Sequence, residues 1–488
     1  MTVNYDNTIS LILQVFFGKF DISLKKWEIL KENSREDVAH MESIWSRTVE
    51  IPERECLKEE LRADAVVIGA GMSGLLTAFL LEESGLKTVV LEAERIAGGQ
   101  TKNTTAKITS QHGMIYKKLT EDFGERKAAL YGQAHEAAIG ELEKLIKDKE
   151  INCHFSRLPG YLYSQKDRAS LEEEAKAAEK LGLRASFTEK TGLPFETAGA
   201  VRFEDQAQFH PLEFIKAISE GLSIYEHTRV RKVRGKKVYT DTGRIRADHI
   251  IFACHYPMVN IPGFYFLRQH QEKSCVIAWD HVKPLPGIYY SIDEEGLSLR
   301  SSGNILLAGG GGFRTGEKAA GEIYASIRKE AKRFFPAGRE IAHWSAQDCM
   351  PHDGLALIGQ YSIFKPGWHV ATGFQKWGMT SSMLAAMLIW DEIWGIENPY
   401  APLFSPQRFH PSVSARPFFQ DAASSIRGLA GGMALLWKKE EKHRCCTHMG
   451  CALNWNEEEE IWECPCHGSC FDKDGKLLTE PAGKDLKE

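Results

Sequence analysis

The chain of 488 residues has no apolar run that approaches the ~18–20 residues a membrane-spanning helix needs. Its best N-terminal candidate, Ile9 to Phe17, contains Gln14 and comes after Asp6 rather than a basic residue. No small-residue cleavage site comes after it, so no secretory leader is expected and a cytoplasmic location is. Nor is one sign of charge in excess. The 61 basic and 66 acidic residues leave a net charge of −5, which offers no basic surface for nucleic acid or an anionic membrane. There is no internal repeat and no low-complexity tract. Cysteine is thin outside one stretch. Of 11, six lie between Cys445 and Cys470, and Cys56, Cys153, Cys254, Cys275 and Cys349 read as buried or incidental thiols. In a reducing compartment such a cluster points to a metal or redox site rather than a disulfide scaffold.

What is present is the composition of an ordinary globular protein, 43% apolar and 26% charged, with length for about three compact units. Residues 1–40 do not resemble the rest of the chain and read as an N-terminal extension, with Met41 as an alternative start. From Ala63 the text changes. Ala65 to Ile68 is a short apolar strand, Gly69 to Gly74 a glycine-rich turn, Leu75 to Glu83 a helix, and Lys87 to Leu91 a second strand, a β-α-β unit within about 30 residues. Helices rich in Ala, Leu, Lys and Glu come next (Glu125 to Lys149, Arg168 to Leu183), then short strands such as His249 to Ala253. Near Gly367 a strand–glycine–helix pattern returns, Trp368 to Gly373 and then Met379 to Trp394. Residues 399–420 hold five prolines, and 401–427 reads as a linker wrapping the surface.

Gly69-Ala70-Gly71-Met72-Ser73-Gly74 is a G-x-G-x-x-G turn between strand and helix. The first glycine permits the tight turn, the second lets backbone approach a pyrophosphate, and the third lets helix pack on strand. The helix N-terminus then offers N–H groups and its positive dipole end to phosphate. Glu92 stands 18 residues after Gly74, where an acid can bind ribose hydroxyls. A glycine turn without a ligand is the alternative, which the correct order of strand, helix, strand and acid disfavours. Spacing does not choose between FAD and NAD. A single fingerprint, with a second glycine-rich strand–helix near the end, favours FAD.

The second constellation is Cys446-Thr447-His448 and Cys464-Pro465-Cys466-His467: C-x-H, fifteen residues, then C-x-x-H. This is the ligand spacing of a Rieske-type [2Fe–2S] cluster. Two thiolates hold one iron and two imidazoles the other, which leaves less negative charge than four thiolates and eases reduction. The same four residues could hold zinc tetrahedrally.

Ala65 to Glu92, Arg95 to Lys107, Asp205 to Pro211, Thr228-Arg229-Val230, Ala253 to Pro257, Asp348 to Gly359 and Gly373 to Thr380 resemble the D-amino-acid-oxidase-like FAD flavoproteins. The chain is most similar to the bacterial subgroup that adds a C-terminal Rieske domain, over roughly residues 41–488. The resemblance implies a fold of an α/β Rossmann-like FAD domain, an interleaved α+β substrate subdomain, and a small all-β Rieske domain. The oxidoreductase would take 41–400, with the substrate subdomain at 158–196 and 262–345, and the Rieske domain 428–488. Gly69, Gly71, Ser73, Glu92 and Ala93 would hold the ADP half of FAD, Val230 backbone its adenine side, and Gly74, Gly99 and Thr101 would also bind the cofactor. Gly359, Gly373, Gly378, Met379 and Thr380 would close over the isoalloxazine and ribityl chain. Lys102 departs from the subgroup, which tends to have glycine there.

For the cluster, the resemblance implies a disulfide between Cys451 and Cys466, which argues against plain zinc. Ser469 resembles the serine that donates to a bridging sulfide. Two residues on, where high-potential Rieske proteins have tyrosine, stands Phe471, so an intermediate or low potential is expected. Only Gly428 to Arg444 precede the first ligand loop, about one hairpin short; Glu480 stands before Pro481 where a Gly-Pro loop usually covers the cluster; and Cys445 and Cys470 are extra thiols.

The implied activity is hydride removal from a C–H next to nitrogen, in a small-molecule amine or amino acid, with electrons passing through the cluster to a one-electron acceptor, protein or quinone. The amine must be neutral to lose hydride, so a base is expected. Lys107 and His112 are the catalytic candidates, then His255 and Lys376. The alternatives are an electron-transfer reductase whose flavin is reduced by a partner, disfavoured by the lack of another G-x-G-x-x-G, and a redox sensor on an inactive flavin scaffold.

Overall fold

A computed structural model describes residues 41–259, 261–317, 320–437 and 445–486. The N-terminal extension, with the Ile9 to Phe17 stretch, lies outside the described residues, as does most of the segment just before Cys445.

The fingerprint strand, Glu60–Ile68, changes from exposed alternation to a fully buried end, Ala65 to Ile68, as a central parallel strand requires. It pairs in parallel with Thr88–Leu91 on one side and with Arg244–Phe252 on the other. Ser223–Tyr225 extends the sheet beyond Thr88–Leu91. Trp368–Thr372 extends it beyond Arg244–Phe252, and Leu357–Gln360 closes that edge antiparallel. The helix Met72–Glu83 buries Leu75, Leu76, Ala78 and Leu81 beneath this sheet, against the helix Gly378–Trp394. The latter ends on Gly395 at φ +68°, the left-handed position that stops a helix without a Cβ penalty.

A second, largely antiparallel sheet runs in the order Arg339–Pro351, Gln269–Asp280, Ile305–Arg314, Ser298–Ser302, Ile288–Ser291, Ser156–Ser164, Gly199–Gln208, Lys107–Ile108. It draws on more of the chain than the two stretches read as a substrate subdomain, since Gly199–Gln208 and Lys107–Ile108 belong to it. The two long strands Gln269–Asp280 and Arg339–Pro351 pair along their whole length, and they position both the cofactor cavity and the cluster loops.

The C-terminal unit is a small antiparallel sheet of Asn454–Asn456, Ile461–Glu463, Cys470–Asp472 and Leu477–Thr479. The stretch expected to be a surface linker is instead mostly helical: Ala401–Phe404, then the long helix Pro411–Trp437. Proline at a helix start costs nothing, because that N–H has no intrahelical acceptor, and Pro402 and Pro411 sit there. Pro417 alone lies inside. Among the described residues no helix is long and apolar enough to cross a membrane.

Candidate active site and cluster centre

The glycine turn is built as its spacing requires. Gly69 holds φ +107°, and a Cβ there would come within 2.6 Å of the Ala253 carbonyl oxygen. A Cβ on Gly74 would lie 1.9 Å from the Gly69 oxygen, so this glycine serves the helix–strand approach rather than a ligand. Gly71 faces open space, with only the Thr101 hydroxyl at 3.2 Å. That hydroxyl accepts from Met72 N (3.0 Å) and so caps the helix from outside. Glu92 closes the loop from below, accepting from Ala70 N (2.8 Å) and Glu94 N (3.0 Å), while burial raises its carboxyl above the usual range. The buried Ser73 hydroxyl has no protein partner and faces the cavity, as a phosphate-binding group would.

This turn opens on a cavity of about 780 Å³. Gly69, Gly71, Ser73, Glu92, Ala93, Gly99, Thr101 and Val230 all line it, and so do Gly373, Gly378 and Met379. Three expected residues stand behind the wall. Gly74 packs as described. Thr380 exchanges hydrogen bonds with the backbone of Thr109, donating to its oxygen (3.0 Å) and accepting from its nitrogen (2.9 Å). Gly359 lies on an edge strand, where a Cβ would meet Glu392 Oε2 at 2.9 Å, so its place is one of packing.

The two catalytic candidates separate. Lys107 lines the cavity, and its Nζ donates to the Tyr289 carbonyl (3.0 Å) and to the Ser298 hydroxyl. Burial, then the Arg300 charge, pushes it down to about 7. His112 is not brought to the cavity. Its Nδ1 bonds the Tyr131 hydroxyl (2.6 Å), its Nε2 bonds the Thr109 carbonyl (2.7 Å), and its ring stacks on Trp377. Trp377 is the residue that reaches the cavity, and burial holds the imidazole well below its ordinary pKa. His112 therefore supports the wall.

Elsewhere in the lining Lys376 donates to the Ser274 hydroxyl (2.8 Å) and stands 3.6 Å from Glu272. Burial opposes its charge, but Asp348 and Glu272 hold it above its ordinary value. Burial pushes Asp348 up to about 7, against the pull of Lys376. His255 also lines the cavity, beside the side chain of Gln271.

The cluster loops are built alike. Cys446 N donates to Cys451 O (2.8 Å) and Gly450 N to Cys446 O (2.8 Å); Cys464 N donates to Ser469 O (2.9 Å) and Gly468 N to Cys464 O (2.9 Å). Each loop turns on a glycine at φ +85°, Gly450 and Gly468. The disulfide Cys451–Cys466 pins the loops together, as expected. The sulfurs of Cys446 and Cys464 are in contact, and the rings of His448 and His467 meet edge to face with centroids 5.0 Å apart. Each loop thus gives one thiol to a thiol pair and one imidazole to an imidazole pair, the donor set a [2Fe–2S] cluster of this type takes. The Ser469 hydroxyl lies beside the Cys446 sulfur and accepts from Ala482 N (2.9 Å), which frees its own proton to donate to sulfur.

The long helix backs both ligand loops. Ala452 N donates to Gly428 O (3.0 Å). A Cβ on Gly428 would come within 2.5 Å of Cys466 Sγ, and one on Gly432 within 1.9 Å of Gly450 O. The helix thus leans a glycine face directly on both ligand loops. Its Asp421 accepts from His270 Nδ1 (3.0 Å) and His352 Nε2 (2.6 Å) and pairs with Arg314; although burial opposes it, these partners hold the carboxyl well below the usual range.

The strands Gln269–Asp280 and Arg339–Pro351 divide cavity from cluster. On one face Ser274, Val276, Ala346 and Asp348 line the cavity. On the other, Gln271 donates to His467 O (2.7 Å) and Gln347 to Gly468 O (2.6 Å). Arg314, from the neighbouring strand, donates to Pro465 O (2.8 Å) and Cys466 O (2.7 Å). Lys273 forms a buried ion pair with Glu459 and Glu463. Strand alternation produces this division, since successive side chains point to opposite faces.

Residues 64–391 match the family described as FAD dependent oxidoreductase, and residues 427–488 match the Rieske [2Fe-2S] domain. The Rieske 2Fe-2S iron-sulfur protein YhfW of Bacillus subtilis is 31% identical over 497 residues, covering 92% of this chain and 97% of its own length. Gamma-glutamylputrescine oxidoreductase of Escherichia coli is 26% identical, over 41% of this chain and 50% of its own. Among solved structures, L-amino acid deaminase from Proteus vulgaris superposes with a TM-score of 0.60 at 21% identity, covering 74% of this chain and 97% of its own. Glycine oxidase from Geobacillus kaustophilus gives 0.60 at 19%, covering 72% and 99%. The chain belongs to the FAD-dependent oxidoreductase family, with an amino-acid-oxidase fold, and ends in a Rieske [2Fe–2S] domain.

Proposed function

We propose that this enzyme oxidises a small amine or amino acid at FAD and passes the electrons one at a time through the Rieske cluster to an external acceptor. One observation carries this reading: a single pair of strands is at once the wall of the cavity and the seat of the cluster ligand loop, through Gln271 and Gln347. The cavity lining and the seat of His467 are thus parts of the same two strands. An enzyme discharging to O₂ has no need of such a seat.

FAD, when bound, supplies the acceptor for the hydride leaving the carbon next to nitrogen. The protein's share is to prepare the amine. Neutral Lys107 has two N–H bonds, and both are directed to fixed acceptors, Tyr289 O and Ser298 Oγ. Its lone pair is then left to take the proton of the substrate ammonium, and a pKa near 7 suits that exchange. Lys376, in the same lining, offers a charge to a substrate carboxylate.

The test is anaerobic mixing of the purified enzyme with amines and amino acids, monitored by visible absorption and EPR. The expected result is flavin bleaching and then the EPR signal of the reduced cluster. Bleaching by NAD(P)H but by no amine would give the reductase reading instead, and no bleaching by either would leave no catalytic reading standing.

A further inference from the structure

The cavity has a wall that the oxidoreductase domain does not supply. Glu480, Pro481, Ala482 and Gly483 come directly after the last strand of the Rieske sheet, and they line the same cavity as Gly71, Glu92 and Val230. On one side this loop covers the cluster, through Ala482 N on Ser469 Oγ (2.9 Å). On its other side it is tied to the strand that begins at Val230. Arg229, just before that strand, pairs with Glu480 (2.8 Å) and with Glu94 (3.0 Å), and Arg231 donates to Gly483 O (3.3 Å). Gln271 joins the two sides, since the Nε2 that donates to His467 O also donates to Glu480 O (3.0 Å). Burial opposes the Arg229 charge, but Glu480 and Glu94 hold it above its ordinary value. The loop is near enough to the ribose-binding acid that the Glu480 charge helps to raise Glu92.

We infer that the Rieske domain forms part of the FAD site: the loop Glu480–Gly483 closes the ADP half of the cavity, so that FAD binding and the seating of the cluster loops are linked. The inference rests on FAD occupying the cavity and goes beyond the proposed reaction. Its physical content is reciprocity. If FAD binds more tightly when the loop is seated, then bound FAD must favour the seated loop by the same factor. FAD leaving past this wall must part Arg229 from Glu480, and the displaced loop no longer donates to Ser469, two residues beyond His467. The flavin thus holds the cluster domain on the sheet through which the two centres communicate.

Two measurements on the full-length enzyme with both centres loaded test this. In the first, FAD release is monitored by flavin fluorescence after dilution, in the wild type and in Glu480→Gln. The substitution keeps the shape of the side chain and removes the ion pair. Release should quicken roughly 3- to 10-fold, the effect of losing one partly buried ion pair, while the EPR line shape of the reduced cluster stays as in the wild type. In the second, hydrogen exchange of the wild type is compared before and after FAD is stripped with a chaotropic halide. Residues 480–486 should lose protection, and residues 461–472, inside the Rieske sheet, should keep theirs. Either a Glu480→Gln release rate within about twofold of wild type or exchange at 480–486 that ignores FAD overturns the inference. If Glu480→Gln fails to fold, the exchange measurement decides alone. A protein that takes up no FAD at all fails the cofactor assignment, a different result from FAD bound and released at an unchanged rate.

Discussion

Gln271 donates from its side-chain amide to the main-chain oxygen of His467 at 2.7 Å, while Ser274, three residues along the same strand, lines the flavin cavity. One strand thus touches both redox centres, and its pleat decides which side chain meets which. Replacing Gln271 by Leu keeps the bulk and removes the donor to two carbonyls, each bond worth about 0.5–1.5 kcal/mol. The cluster loop should sit less firmly on the sheet. In stopped-flow work with FAD kept saturating, flavin reduction by substrate should be unchanged, and the subsequent reduction of the cluster should slow about tenfold. Slowing of both steps alike would point to general damage.

Lys107 gives a pH prediction with a definite sign. Its folded pKa is depressed to about 7 from the ordinary lysine value of 10.5. Between those values the unfolded chain binds a proton that the folded chain does not, so stability rises with pH across this window. As a base Lys107 works when neutral, so the rate of flavin reduction should rise with pH through about 7. Lys107→Met should lower that rate by about 10²–10⁴-fold and abolish both the kinetic limb and its share of the stability slope. A limb that survives in Lys107→Met would assign the base elsewhere, with Asp348, also about 7, the next candidate.

How much the sequence made legible depends on how local each signal is. The cluster ligands lie within two loops of six residues, and the FAD turn with its acid within a single β-α-β unit, so linear spacing carried them. Gln271, Gln347 and Arg314 meet the cluster from strands more than a hundred residues away, and a lone glutamine in an alternating strand carries no mark of it. Asp348 lay within a recognised stretch but acquires its character only from burial beside Lys376. The prolines of 399–420 suggested a linker, but composition does not show position relative to a helix start, and Pro402 and Pro411 begin helices there. His112 illustrates the opposite error. A histidine near the cavity in sequence has both nitrogens satisfied in the core, and its ring stacks on Trp377, which lines the cavity.

The glycine face of the long helix can be tested separately from the flavin. A methyl group at Gly432 would lie 1.9 Å from the Gly450 oxygen, and one at Gly428 2.5 Å from Cys466 Sγ. Backbone cannot yield as a flexible side chain can, so overpacking of about 1–3 kcal/mol is expected for Gly432→Ala. Iron and acid-labile sulfide content should fall, while FAD content stays at the wild-type level. Full cluster occupancy in Gly432→Ala would mean the helix is free to move off the loops.

Ser469 and Phe471 set the expected potential of the cluster. The Ser469 hydroxyl is held beside the Cys446 sulfur by the bond it accepts from Ala482 N, so its proton is directed to sulfur. Hydrogen bonds to cluster sulfurs favour the reduced form. Phe471 is fully buried and donates nothing. One hydrogen bond of about 1–1.5 kcal/mol corresponds to roughly 40–60 mV for one electron, at 59 mV per tenfold change. Ser469→Ala should therefore lower the midpoint potential by about that amount. Phe471→Tyr should raise it by a similar step if the hydroxyl reaches sulfur, and leave it unmoved if the ring's pocket turns the hydroxyl away. The serine measurement separates two roles. Loss of the sulfur bond alone lowers the potential at unchanged FAD affinity. If the Ser469–Ala482 bond also seats the loop Glu480–Gly483, the same substitution lowers the potential and quickens FAD release together, a pairing that a purely local effect on the cluster would not give.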